Sequence, residues 1–264
     1  PGEWEGHEWG ANVAPKPQAN EDELRHVPAH GGEVAFLPLD DARLSRSLDE
    51  VIARRVAFLT DYQHAAYARR YADFVANVRA AEQAKAPGST DLTEAVARYA
   101  FKLMAYKDEY EVARLYTSGE FQRRIEQQFE GDFKLKFHLA PPLLAKKDAE
   151  GRLQKREYGA WVFTAFRLVA KLRFLRGSAL DVFGYTAERK MERRLIDEYF
   201  ATVEGLLAKL DAGNVALAAE IASIPEHIRG YGHVKEAHLH KAKAREAELL
   251  REWANPLRVV LQAA

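Results

Sequence analysis

Apolar side chains fall at Leu92, Val96, Tyr99, Leu103, Tyr106, Tyr110 and Ala113, at steps of 4, 3, 4, 3, 4 and 3. That repeat puts every one of them on one face of an α-helix. A strand cannot use it, because its apolar face recurs at every second residue. Such regular spacing also favours antiparallel packing against a neighbouring helix. A second stripe precedes it, through Leu48, Ile52, Val56, Leu59, Tyr62, Ala66, Phe74 and Val78. It predicts one long helix ending near Ala86, before the Pro87-Gly88 breaker. Asp91 or Thr90 is placed to cap the next helix, which should stop before Ser118-Gly119 and be followed by a shorter one reaching Phe129.

Helical spacing returns at about Trp161–Arg176, closed by Gly177. After a Phe183-Gly184-Tyr185 turn, Thr186 can cap a long helix striped by Met191, Leu195, Tyr199, Val203, Leu206 and Leu210. A shorter helix is expected over Asn214–Ser223, an interruption at Pro225, and a last helix from about Tyr231 to Trp253. Two stretches depart from this rhythm. Phe133, Leu135 and Phe137 alternate with Lys134, Lys136 and His138, the period of a half-buried strand, and Asp148-Ala149-Glu150-Gly151 can turn a hairpin into Arg152–Tyr158. Residues 1–40 hold Pro1, Pro15, Pro17, Pro28 and Pro38, with Trp4 and Trp9 off any helical spacing, and a short strand is expected at Glu33–Leu37. The fold class expected is mainly α: an extended Pro/Gly-rich arm over 1–40, then a multi-helix bundle-like domain over 41–264 with a small β-hairpin inserted at 132–158.

Composition removes several functions. The 264 residues contain no cysteine, so the chain holds no disulfide, thiolate nucleophile, Cys-ligated zinc or Cys-held iron–sulfur cluster. With 39 Lys+Arg against 39 Asp+Glu, it lacks the broad positive field of a general nucleic-acid binder. No apolar run approaches the roughly 18 residues of a bilayer span, and the first 30 residues lack an apolar signal-peptide core, so a soluble, cytoplasmic protein is expected.

The candidate chemistry is sparse. Gly230-Tyr231-Gly232 begins a dinucleotide fingerprint, but Lys235 stands where its third glycine belongs and no strand precedes it. His227, His233, His238 and His240 lie close in sequence, and His233, Glu236 and His240 share a helical face, so a free-standing metal-dependent enzyme is one alternative. The opposing reading is a solvated, lysine-rich helix face. Tyr106, Lys107, Asp108, Glu109, Tyr110, Glu111 and Arg114 form the densest polar cluster. On the helix expected there, Lys107 meets Glu111 four residues on, while Tyr110 and Arg114 share the neighbouring track. The cluster then reads as surface ion pairing, as a polar patch that fixes another domain, or as an Asp108/Glu111 acid–base pair. Lys134, Lys136, Lys146, Lys147, Arg152, Lys155 and Arg156 make the hairpin basic, so a binding module for nucleic acid or an acidic protein is a further alternative to a solvated face.

Several stretches are more specific than these patterns. The run from Arg98 to Tyr116, reading Arg-Tyr-Ala-Phe-Lys-Leu-Met-Ala-Tyr-Lys-Asp-Glu-Tyr-Glu-Val-Ala-Arg-Leu-Tyr, resembles a segment of indolepyruvate:ferredoxin oxidoreductase. The matching region is the C-terminal domain, of unassigned function, in the long fused bacterial form. Phe129–Asp132 with Phe137–Leu144, Asp181–Arg189 and Ile228–Lys235 resemble the same region in the same order, and the likeness runs from about Leu48 to Arg251. It implies a parent enzyme that oxidatively decarboxylates aryl pyruvates to acyl-coenzyme A with thiamine diphosphate, passing electrons through iron–sulfur clusters to ferredoxin. The parent's catalytic residues do not carry over. Gly131-Asp132-Phe133 lacks the third position of the thiamine motif Gly-Asp-Gly, no Asn-Asn follows, and the clusters need cysteines. The resemblance therefore implies an accessory part of the oxidoreductase, cut from it or separately encoded. It would hold no cofactor of its own and would pack, within an oligomer, on the catalytic domains, with neither nucleic acid nor membrane as a partner. The interface residues expected are Tyr106–Glu111, Arg114, Phe183, Tyr185, Arg229, Tyr231 and His233.

Overall fold

The computed structural model describes residues 47–119, 123, 127, 158–159 and 161–255, and the backbone of 11–15, 133–139 and 156–157. The protein is mainly α. The chain divides into two compact units, one of Pro1–Asp40 with Lys107–Arg173, the other of Asp41–Tyr106 with Phe174–Ala264.

The second unit is helical. Ser47 opens α1 (Leu48–Tyr62) by accepting the Glu50 N–H at 3.2 Å. The single helix expected through Ala86 is in fact two. His64 stops the first and caps α2 (Ala65–Lys85), its Nδ1 accepting the Tyr67 N–H at 3.1 Å. The break also re-phases the buried face. Ala66, expected in the stripe, is exposed, and the face resumes at Ala68, Tyr71, Phe74, Val75 and Val78. Distant residues hold the break in place. The Arg176 guanidinium lies 3.6 Å from the Tyr62 ring centroid and donates to the Tyr62 carbonyl, while Gln63 donates to the Arg176 carbonyl at 3.0 Å.

A buried carboxylate organises the start of α3 (Asp91–Met104). Neither Asp91 nor Thr90 caps it through a side-chain bond to the backbone; Thr90 occupies the cap position but its hydroxyl donates to Glu94 at 3.0 Å. The cap comes from Glu82 on α2. Its carboxylate accepts the Leu92 and Thr93 N–H groups at 3.0 and 2.8 Å and the Thr93 and Ser89 hydroxyls at 2.5 and 2.7 Å. Four donors satisfy a buried charge and two of the orphan amides of a helix start.

The end of α3 corrects the Leu92–Ala113 stripe as well. Helix does not continue to Ser118 but stops at Met104 and restarts beyond Asp108. The freed carbonyls are met by tyrosines: Tyr67 donates to Met104 at 2.9 Å and Tyr62 to Tyr106 at 2.7 Å. Every stripe residue from Leu92 to Ala113 is nonetheless buried.

The rest of this unit is α6 (Ala187–Ala208), capped by Thr186 as expected, α7 (Val215–Ser223), a 3-10 turn at Ile224–His227 around Pro225, and α8 (Gly232–Ala254). Phe74 of α2 stacks on Phe200 of α6 at 3.9 Å, and α3 packs on α7. Buried tyrosines donate to helix carbonyls across the core, Tyr71 to Ala97 and Tyr199 to Ala222, both at 2.9 Å. Each thus buries its ring without leaving the hydroxyl unsatisfied.

The other unit pairs α4 (Glu109–Thr117) with α5 (Val162–Lys171), Tyr116 stacking on Phe166 at 5.6 Å. It also carries an antiparallel three-stranded sheet ordered β1 (Ala11–Pro15), β2 (Phe133–Leu139), β3 (Arg156–Tyr158). Pairing aligns Val13 with Leu135 and Phe137 with Tyr158. The strand expected at Glu33–Leu37, the turn at Asp148–Gly151 and the helix reaching Phe129 fall outside the described residues, apart from helical backbone at 123 and 127. The side chains of the basic hairpin also fall outside them. No described helix is long and apolar enough to cross a membrane.

Candidate interaction surface

The densest polar cluster proves to be built around a helix start. Tyr106 closes the helical unit and is buried, its carbonyl taken by Tyr62. Lys107 precedes α4 and so is not one helical turn from Glu111. Burial, opposed by the Glu111 charge, lowers its pKa. Asp108 is the cap, its Oδ1 accepting the Glu111 N–H at 2.9 Å. Glu109 and Glu111 lie in the first turn, where the helix dipole favours acidic groups, and Tyr110 is buried. Glu111 grips Arg114 with both oxygens, Nε and Nη2 each at 2.8 Å. Asp108 and Glu111 are thus buried and engaged in structural bonds, a poor arrangement for an acid–base pair. The signal for this break was legible in Asp108-x-x-Glu111, the spacing of a capping box.

The Phe183 and Tyr185 turn belongs to a larger feature. Between the 3-10 turn Leu172–Leu175 and α6, the chain folds around the buried Asp181. Its carboxylate accepts the Gly177 N–H at 2.7 Å and the Gly184 N–H at 3.0 Å. Arg193 donates to the Gly184 carbonyl at 2.6 Å, and Tyr185 to the Ala179 carbonyl at 2.7 Å. Gly177 sits at φ +76°, where a side chain is strained. At Gly184 a Cβ would meet Asp181 Oδ2 at 2.3 Å. This well-braced loop and the 3-10 turn before it expose large apolar side chains: Phe174 by 55 %, Leu180 by 70 %, Val182 by 58 % and Tyr185 by 61 %. Phe183 is half-buried. Sequence reasoning reached Phe183 and Tyr185 but passed over Phe174, Leu180, Val182 and the Asp181 brace. The available signal was a run of apolar residues with neither helical nor strand period.

The turn from Ile228 leads into α8. Arg229 is exposed and reaches back to Glu226, Tyr231 occupies the cap position of α8, and His233 is exposed in its first turn. Gly230 has φ +85°, and a Cβ there would press on Val234 at 2.8 Å. The histidines do not converge. His238 Nδ1 lies 2.8 Å from the Arg229 carbonyl, and among the described residues no three His, Asp or Glu side chains gather as for a metal ion.

Neither a curated protein nor a solved structure matches the chain. Residues 48–248 match the model of a family of unknown function, DUF6537. Because that match takes in most of the sequence, from the first turn of α1 deep into α8, the chain belongs to this family of unknown function.

Proposed function

We propose that this chain is an accessory, non-catalytic part of an indolepyruvate-type 2-oxoacid:ferredoxin oxidoreductase. It docks on the domains that bind thiamine diphosphate and the iron–sulfur clusters. The observation that carries the reading is the Asp181-braced loop, which holds Leu180, Val182 and Tyr185 in water in a fixed geometry, with Phe174 exposed in the turn before it. Exposing such side chains is unfavourable, at about 25 cal/mol per Å² of apolar surface, unless a partner covers them. Bracing the loop in advance lowers the entropy lost on docking. Two stretches that resemble the oxidoreductase, Asp181–Arg189 and Ile228–Lys235, are the turns that open α6 and α8. The chain's own residues do not fit the redox groups: it has no cysteine for a cluster, so redox chemistry belongs to the partner. The reading carries with it a cytoplasmic location and membership of an oligomer.

The test is co-purification from the native host. Tagged chain should recover the thiamine-dependent polypeptide, and the double substitution Leu180→Asp, Val182→Asp should abolish recovery while circular dichroism shows retained helix. A folded chain that migrates as a monomer and brings down no such polypeptide overturns the reading.

A further inference from the structure

A different surface of the helical unit gathers positive charge at one point. Lys102 on α3 donates from Nζ to the Glu226 carbonyl at 3.0 Å, and Arg229 donates from Nε to that same oxygen at 3.1 Å. An ammonium and a guanidinium from separate elements therefore converge on one neutral acceptor. One nearby carboxylate, Glu226, faces both cations, so the pair together keeps a net positive charge. Glu226 Oε2 takes the Tyr99 hydroxyl at 2.8 Å, leaving Oε1 3.6 Å from Arg229 Nη2, well beyond the roughly 2.7–2.9 Å of a charge-assisted bond. Lys235 adds a third cation from α8, paired with Glu192 at 2.5 Å. The first turn of α8 holds no acidic residue. Partial burial, and then the Arg229 charge, lower the Lys102 pKa to about 8, with Glu226 opposing and Lys235 adding to the effect. Lys102 and Arg229 both face solvent, so an anion can reach them.

We propose that Lys102 and Arg229 form an oxyanion site for the phosphate group of a small molecule, the phosphate lying between the two cations beside the Glu226–Tyr231 turn. Two like charges brought to one oxygen repel, and an anion between them turns the repulsion into two attractions. A tetrahedral phosphate offers acceptors to both the Arg229 fork and the Lys102 ammonium at once. The site does not depend on the oxidoreductase reading, and its failure would leave that reading standing.

The test is titration of the full chain with inorganic phosphate and pyrophosphate, at constant ionic strength set by chloride, followed by amide and lysine-side-chain NMR. Saturable shifts should centre on Lys102, Glu226 and Arg229, and phosphate should raise the Lys102 pKa by a measurable fraction of a unit. Arg229→Gln, at an exposed position, and Lys102→Gln should each weaken binding at least about tenfold, since one charge-assisted contact is worth about 1.5–3 kcal/mol. Acetate at equal ionic strength distinguishes a phosphate site from one for any carboxylate. Shifts that chloride reproduces, that acetate matches, that centre elsewhere, or that both variants retain within twofold overturn the proposal.

Discussion

Replacing Glu82 by alanine tests whether a helix in this protein starts only because another helix lends it a carboxylate. Glu82 is 1 % exposed and accepts four hydrogen bonds, two of them from the Leu92 and Thr93 amides. In Glu82→Ala the Ser89 and Thr93 hydroxyls can turn to new acceptors, but the two amides cannot. Each buried, orphaned donor costs about 1–3 kcal/mol, and relief from desolvating the carboxylate returns part of this. We expect a net loss of about 3 kcal/mol, seen as a fall in Tm of roughly 6–12 °C for a unit of this size. Burial by itself raises the carboxyl pKa, but the bonds from Thr93, Ser89 and Leu92 outweigh it and hold the pKa below its usual 4.5. A carboxyl whose folded pKa lies below the unfolded one stabilises fully above the unfolded value. That contribution disappears as pH falls through the folded value. The native chain should therefore lose stability below pH 4.5 with a slope that Glu82→Gln lacks. Thermal melts followed at 222 nm between about pH 2.5 and 7 measure both effects. A Glu82→Ala loss under about 1 kcal/mol, or parallel acid limbs for the native chain and Glu82→Gln, would refute the borrowed cap.

Gly184→Ala should force Asp181 away from its two amides, because the new Cβ falls 2.3 Å from Oδ2. We expect a cost of about 1–3 kcal/mol and faster hydrogen exchange at Gly177 and Gly184; unchanged exchange there would contradict the brace. Arg176→Ala removes a buried guanidinium from the Tyr62 ring and carbonyl and should cost about 2–4 kcal/mol in denaturant unfolding. Arg176→Lys should restore only part of that, since lysine cannot stack flat on the ring. Asp108→Ala should lower stability by about 0.5–2 kcal/mol, with Asp108→Asn close to native, as for a helix cap. Equal losses in the two Asp108 variants would instead point to a role for its charge.

Helix legibility depended on local chemistry. Thr186 was readable as the cap of α6 because a hydroxyl three residues ahead of an amide is a local arrangement. The break at His64 was not readable, because its hydrophobic stripe ran on through Ala66 and its fastening, Arg176, lies more than a hundred residues away. At the candidate surface, Tyr185 and Arg229 stood out as members of turns. Asp181 gained its meaning only once Gly177, Gly184 and Arg193 were brought around it.

The sequence alone determined that the chain would be mainly helical, that the apolar stripe Leu92, Val96, Tyr99, Leu103, Tyr106, Tyr110 and Ala113 would be buried, and that no cysteine chemistry could occur. Periodicity and residue type act locally, so they survive without knowledge of the fold. Tertiary structure decided how the end of α1 and both ends of α3 are satisfied, since Arg176, Glu82, Tyr62 and Tyr67 reach across to them from other elements. It also decided which charges meet. Lys102 and Arg229, far apart in the chain, come to one carbonyl because α3 packs beside the turn at Ile224–His227.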